Sequence, residues 1–237
     1  MSGSSTVGEL ISFRGVQDFP NPDALISHAL PWILAAGRPY YDWLCGGRDV
    51  AERTVAMWIK QPSSEVSIQR VQFLQFGSEI VGGFIALSGT ELKKARTADV
   101  ESFWATLQGQ SRGALIERLS QSLQVFAPVA EDEYYASKMG LARPFLGKGL
   151  VQPMAEHYLN QGNALGYSKF RLDVQAENKH ALRHYLAIGF EIFYTGESAD
   201  GALRYHAMRY QRTNKITMGV SDSNSLLGGL DLAHRSN

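Results

Sequence analysis

The chain has 237 residues, 44% of them apolar and 19% charged, a composition that excludes disordered and fibrous classes and suits one elaborated domain with a sizeable core. Lysine plus arginine equals aspartate plus glutamate at 23 each, which removes the electrostatic footprint of a nucleic-acid binder or a polybasic membrane anchor. The single cysteine, Cys45, excludes an intramolecular disulfide, and the lack of both a ~20-residue apolar run and a secretory signal in MSGSSTVGEL leads us to expect a soluble, cytoplasmic protein.

Residues 1–8 and 213–237 are rich in Ser, Gly and Asn and read as tails; the stretch SNSLLGGLDL carries a Gly pair that costs about 1 kcal/mol per residue inside a helix. Residues 9–212 read as one domain. Along it, ELISFRGV reads as a first strand, and Asn21-Pro22-Asp23 as the start of a helix through ALISHALPWILAAG that Pro31 should kink or split. The segments PYYDWLCGG and RDVAERTVAMWIK follow, the second with helical spacing at Val50, Val55, Trp58 and Ile59. VSIQRVQFLQF and EIVGGFIALSG read as strands joined by a Gly-Ser turn. From about Leu92 to Val125 a helical stretch, expected to break near Gly109 and Gly113, looks like an inserted helical lid spanning 91–130. A strand at EYYASKMGL, a loop ARPFLGKG, a helix, a strand KFRLDV, a second helix NKHALRHYLAIG and paired strands near FEIFYTG and ALRYHAMRY complete the order. Strands alternating with helices predict an α/β sheet with crossover connections.

The chemistry concentrates between Tyr134 and Phe190. Leu146-Gly147-Lys148-Gly149-Leu150-Val151 stands where a strand meets a helix, so glycines, unpaired N–H groups and a helix dipole converge in a way that favours a phosphate, with Lys148 adding positive charge. The spacing is neither that of a P-loop nor that of a dinucleotide fingerprint, in which Gln152 would have to be glycine. Taken alone, Gly-Lys-Gly is more often a plain turn with a solvated lysine. In the next unit, RLDVQAENKHALRHYLAIGFEIF, Asn178 opens a helix and Tyr185 follows two turns later on the same face.

This order of strand, glycine loop, helix, strand, Asn178, Ala181, Tyr185, Gly189 and Phe190 resembles the GNAT superfamily of acetyl-CoA-dependent N-acetyltransferases. The resemblance is clearest over residues 133–210 and more diffuse over the first 90. It implies a mixed, mainly antiparallel sheet flanked by helices, an α/β fold whose two central strands splay to form an acyl-CoA slot. Pantetheine would lie along Met139, Gly140 and Leu141, and the pyrophosphate would sit on Leu146, Gly147, Lys148, Gly149, Leu150 and Val151. Asn178 would hydrogen-bond the cofactor arm and Tyr185 would protonate the departing thiolate. Two positions depart from the family pattern: Leu146 replaces Arg or Gln, and Val151 replaces Gly or Ala.

For the base that takes the amine's proton the candidate is Glu133, with Asp132 and Glu79 as alternatives. Asp173 and Glu177 read as structural carboxylates and His157 and His184 as ordinary helix histidines, so no metal is expected. The aromatic groups Tyr40, Tyr41, Trp43 and Phe103-Trp104 read as core; should they line the acceptor site, a bulky or planar amine is favoured. The expected function is transfer of an acetyl group from acetyl-CoA to a primary amine of a small molecule or peptide, without nucleic acid or membrane partners; a homodimer is allowed. The rival is a non-catalytic acyl-CoA-binding module of the same fold.

Overall fold

A computed structural model describes residues 10–108 and 110–212; both stretches read as tails, 1–8 and 213–237, lie outside the described residues. The chain folds around a seven-stranded sheet. Its strands are β1 (Ile11–Gly15), β2 (Val71–Phe76), β3 (Glu79–Ser88), β4 (Glu133–Leu141), β5 (Lys169–Gln175), β6 (Glu191–Glu197) and β7 (Arg204–Gln211), in the order β1-β2-β3-β4-β5-β7-β6. Only β4 and β5 run parallel; every other neighbouring pair is antiparallel. The parallel pair follows from its connection, because a strand that returns through a helix re-enters the sheet in the same direction.

Two helical layers cover the sheet. One face carries α1 (Pro22–Gly37), α2 (Tyr40–Cys45), α3 (Arg48–Trp58) and α4 (Gly89–Thr106), packed through Trp32, Ile33, Tyr41, Val55, Trp58 and Phe103. The opposite face carries α6 (Val151–Ala164) and α7 (Lys179–Ile188), packed through Met154, Tyr158 and Tyr185 onto Phe84, Phe170 and Met208. Between them in sequence, α5 (Gln110–Val125) ends in Val125, which joins Leu203 and Tyr205 in a third apolar cluster.

Local chemistry sets the helix ends. Asn21 caps α1 by accepting the Ala24 N–H at 3.4 Å, and Ser88 with Glu91 forms a capping box that opens α4 directly from the end of β3. Three local expectations are corrected. Pro31 does not split α1, which runs unbroken through it; Leu25 and Ala29 before the proline and Trp32 and Ile33 after it are all buried on the same sheet, and that burial outweighs one lost hydrogen bond. Gly113 does not break α5, because the buried Leu115 and Val125 that follow it anchor the helix. The strand expected to begin at Val66 starts only at Val71: Ile68–Arg70 form a single 3-10 turn capped by Ser67. Among the described residues no helix is long and apolar enough to cross a membrane.

Candidate active site

The two parallel strands separate partway along. Pairing runs from Glu133 opposite Lys169 to Ala136 opposite Leu172 and stops. Beyond it, β4 continues to Leu141 against β3 alone, and β5 continues through Asp173 to Gln175 against β7 alone. A bulge starts the divergence: Ala86 faces Ala136 and Ile85 faces Lys138, so Ser137 is the extra residue and β4 bends there. Exposure follows the split, since Tyr134, Tyr135 and Ala136 are buried and Ser137 to Gly140 are half-buried. The facing edges of the two diverging segments have no strand partner, so their N–H and C=O groups can be satisfied by an extended ligand that carries amides of its own.

Met139, Gly140 and Leu141 lie along this slot, on the splayed part of β4. Gly140 packs on Trp32 of α1, where a Cβ would stand 3.2 Å from the indole. At the slot's mouth the chain turns through Arg143–Phe145 into the glycine loop. Gly147 and Gly149 adopt φ of 74° and 75°, a left-handed backbone that glycine takes without strain, and the space beside each is open. Among the described residues no main-chain bond occupies the N–H groups of Gly147, Lys148, Gly149 or Leu150. Leu150 is buried as the helix cap and Val151 opens α6, so the loop presents unpaired donors at a helix N-terminus, an anion-binding geometry. Lys148 extends over the Phe145 ring at 4.8 Å. Leu146 is 60% exposed, and its N–H is bonded to the Arg143 carbonyl at 3.3 Å.

Tyr185 reaches the slot from α7: its hydroxyl lies 3.5 Å from the Met139 sulfur. Burial pushes its pKa up to about 12, so the phenol holds its proton at neutral pH. Asn178 caps α7, its side-chain oxygen accepting the Ala181 N–H at 3.1 Å; the amide NH₂ end is thus the part turned to other partners.

Glu133 is not brought together with Tyr185. It lies at the closed, paired end of β4, where it accepts the Ala130 N–H at 2.7 Å, four residues and roughly 13 Å of strand before Ser137. Asp132 pairs with Lys169 at 2.5 Å at that same end, and Glu79 is exposed at the β2–β3 turn. None of these carboxylates is poised for proton transfer in the slot.

The acids near the point of divergence are others. On the face covered by α1 to α4, Glu65 binds Arg96 at 3.0 Å, Lys138 at 3.3 Å and the Ser137 hydroxyl. The Arg96 and Lys138 charges hold the Glu65 carboxyl far below its usual range despite burial. Tyr135 donates to Asp173 at 2.9 Å, and Arg171 stands 3.6 Å from the other Asp173 oxygen. Burial raises the Asp173 pKa against the pull of Arg171 and Arg96. Behind Glu65, Asp99 accepts the Glu65 N–H at 3.0 Å, and burial raises it to about 7. The sequence did hold one signal of this network: in KFRLDVQ the apolar Phe170, Leu172 and Val174 occupy one face of a central strand, so Arg171 and Asp173 must face the other, where an unpaired charge is costly. Glu65, in a turn without periodicity, left no such mark.

The same face is covered from outside. Tyr40 meets Phe126 at 4.9 Å, Phe126 meets Tyr205 at 4.9 Å, and the Trp43 N–H donates to Asp200 of the β6–β7 turn at 3.0 Å. Tyr194 of β6 donates to the Gln124 carbonyl of α5. Within the inserted segment, α5 thus bridges α2 and β6, while α4 packs on β3 and β4.

No protein-family model matches the sequence, and no curated protein matches it. Solved structures do. An N-acetyltransferase from Staphylococcus aureus Mu50 is 17% identical with a TM-score of 0.57, over 84% of this chain and 100% of that one. A GCN5-related N-acetyltransferase from Kribbella flavida is 16% identical with a TM-score of 0.50, over 86% and 99%. An agmatine N-acetyltransferase variant is 15% identical with a TM-score of 0.51, over 85% and 100%.

Proposed function

We propose, from a fold that is that of the GNAT N-acetyltransferases, that this chain is an acetyltransferase moving an acetyl group from acetyl-CoA to a primary amine of a small molecule. The observation that carries this reading is the continuous path from the Gly147–Gly149 loop, along the unpaired edges of β4 and β5, to the hydroxyl of Tyr185. Each stretch suits a different part of one ligand. Backbone N–H groups of Gly147, Lys148, Gly149 and Leu150, with Val151 at the helix start, hold the pyrophosphate, and Lys148 adds charge. Met139, Gly140 and Leu141 pair through their backbone with the pantetheine amides, and Asn178 reaches the arm through its NH₂ group.

The chemistry asks the protein for two proton movements. The acceptor ammonium gives up a proton to solvent water, and its nitrogen attacks the thioester carbonyl carbon. As the carbon–sulfur bond breaks, Tyr185 gives its proton to sulfur, and the nitrogen's second proton leaves to restore the phenol or passes to solvent. Tyr185 suits the donor role because it is buried and protonated. Small acceptors are favoured over peptides by the cover over the acceptor face, where α2, α5 and the β6–β7 turn are tied together.

A second reading, an acyl-CoA-binding module without turnover, is favoured by Leu146 and Val151, which replace the residues usual in this fold's phosphate loop. One experiment separates them. Free-thiol release from acetyl-CoA is measured with a panel of primary amines, for wild type and Tyr185→Phe. Amine-dependent release that falls in the variant supports the enzyme; acetyl-CoA binding with no release on any amine supports the module.

A further inference from the structure

We propose that Asp173 receives the ammonium group of the acceptor, and that the acceptor is an arylalkyl amine; this rests on the acetyltransferase reading above. Asp173 is the first residue of β5 beyond the last pair with β4, so it sits at the point where the slot opens. Its side chain is 4% exposed, whereas the residue as a whole is half-buried, which places its backbone on the slot's edge. It lies on the face opposite the one that carries Tyr185 and Met139, so a nitrogen held there faces the thioester from the side away from the proton donor.

The carboxylate is incompletely satisfied. One oxygen accepts from Tyr135, but Oδ1 is buried and has no hydrogen-bond partner among the described residues. A buried acceptor left unpaired costs free energy, and a cationic donor repays the most. Arg171 forms an ion pair with Oδ1 at 3.6 Å, beyond hydrogen-bond distance: its Nη2 is directed to the Ala127 carbonyl, its face stacks 4.4 Å from the Phe193 ring centre, and its Nε has no hydrogen-bond partner among the described residues, so its charge offsets the carboxylate without donating to it. The other buried acids are committed elsewhere. Glu65 is taken by Arg96, Lys138 and Ser137; Asp99, on α4, also has an unpaired Oδ1, but its other oxygen holds the Glu65 N–H and its main-chain carbonyl holds the Trp58 indole, and it does not lie on β5 at the edge of the slot.

The surroundings fix the rest of the ligand. Tyr135 touches Asp173 directly, Tyr205 stands on the same face of the neighbouring strand, and Phe126 and Tyr40 continue the row of rings. An ammonium on a short chain with a flat apolar body matches an acid set beside such a row.

The test uses the full chain saturated with CoA, with 2-phenylethylamine as the probe and 2-phenylethanol as its neutral counterpart, and reads both dissociation constants by calorimetry. Wild type should bind the amine at least about tenfold tighter than the alcohol, and Asp173→Asn should lose about that factor for the amine alone. Equal affinities in wild type, an unchanged amine affinity in Asp173→Asn, or no binding of either probe overturns the proposal. Should the variant not fold, wild type alone decides through pH. The groups facing Asp173 are Tyr135 and Lys138 of β4, Arg171 of β5, Arg96 of α4 and Tyr205 of β7; acidification that protonates Asp173 weakens the amine and leaves the alcohol unchanged, and a flat amine profile overturns the assignment. Failure of CoA to bind wild type removes the acetyltransferase reading and this inference with it, whereas CoA binding without amine selectivity removes the inference only.

Discussion

Tyr185 and Glu133 illustrate what a spacing can and cannot convey. Asn178 and Tyr185 are seven positions apart on one helix, and helix geometry alone puts them on one face, so their placement was legible before any coordinates. Glu133 begins the right strand, yet which end of a parallel pair opens depends on where pairing stops, and nothing in EYYASKMGL marks Ala136 as the last paired residue. Glu65 was invisible for a related reason: it is brought to Ser137 and Arg96 only by long-range folding. In the proposed reaction Tyr185→Phe keeps the ring and its packing but removes the proton donor. Steady-state kinetics should show kcat reduced on the order of 10²-fold with acetyl-CoA affinity unchanged; an unchanged kcat would exclude Tyr185 as the acid. Glu65→Gln, by contrast, strips the charged partner from the buried Lys138 and from the partly exposed Arg96, and should cost about 1.5–3 kcal/mol in chemical denaturation.

The β4–α6 loop and the inserted helices behave differently under sequence reasoning. Glycines between a strand and a helix announce a backbone that must turn left-handed, and Gly147 and Gly149 do so. Because nothing stands near either position, a methyl group there is resisted by backbone strain and not by crowding. Gly149→Ala should therefore cost roughly 1–2 kcal/mol of loop geometry, read as acetyl-CoA affinity weakened about tenfold in calorimetry; unchanged affinity would show that the loop does not hold the phosphates. For α1, Pro31 predicts a kink or split, and for α5, Gly113 predicts a break; tertiary burial of Trp32, Ile33, Leu115 and Val125 keeps both helices continuous. The inserted helices have a readable helical pattern, but their docking onto α2 and β6 rests on contacts such as Tyr194 to Gln124 that no local pattern encodes.

Across the chain, the alternation of strands and helices after Glu133 gave the parallel pair and the flanking layers, while the register that creates the slot emerged only in three dimensions. The buried acids also shape how the fold responds to pH, with opposite signs. The folded pKa of Glu65 is depressed, so its stabilisation is complete above its usual value of 4.5 and is lost as pH falls below it. Asp99 is raised from 3.8 to about 7, so its contribution favours the fold below 3.8 and is lost as pH rises through about 7. Asp99→Asn removes the second effect, and its thermal midpoint relative to wild type should climb between pH 5 and pH 8; a constant difference would contradict the shift. The most direct test of the account is the thermal midpoint of wild type with acetyl-CoA, with ATP and NAD as controls. At about 100 times its dissociation constant, acetyl-CoA should add roughly 2.7 kcal/mol and raise the midpoint by a few degrees, while ATP and NAD leave it in place. No shift at saturating acetyl-CoA would contradict the account.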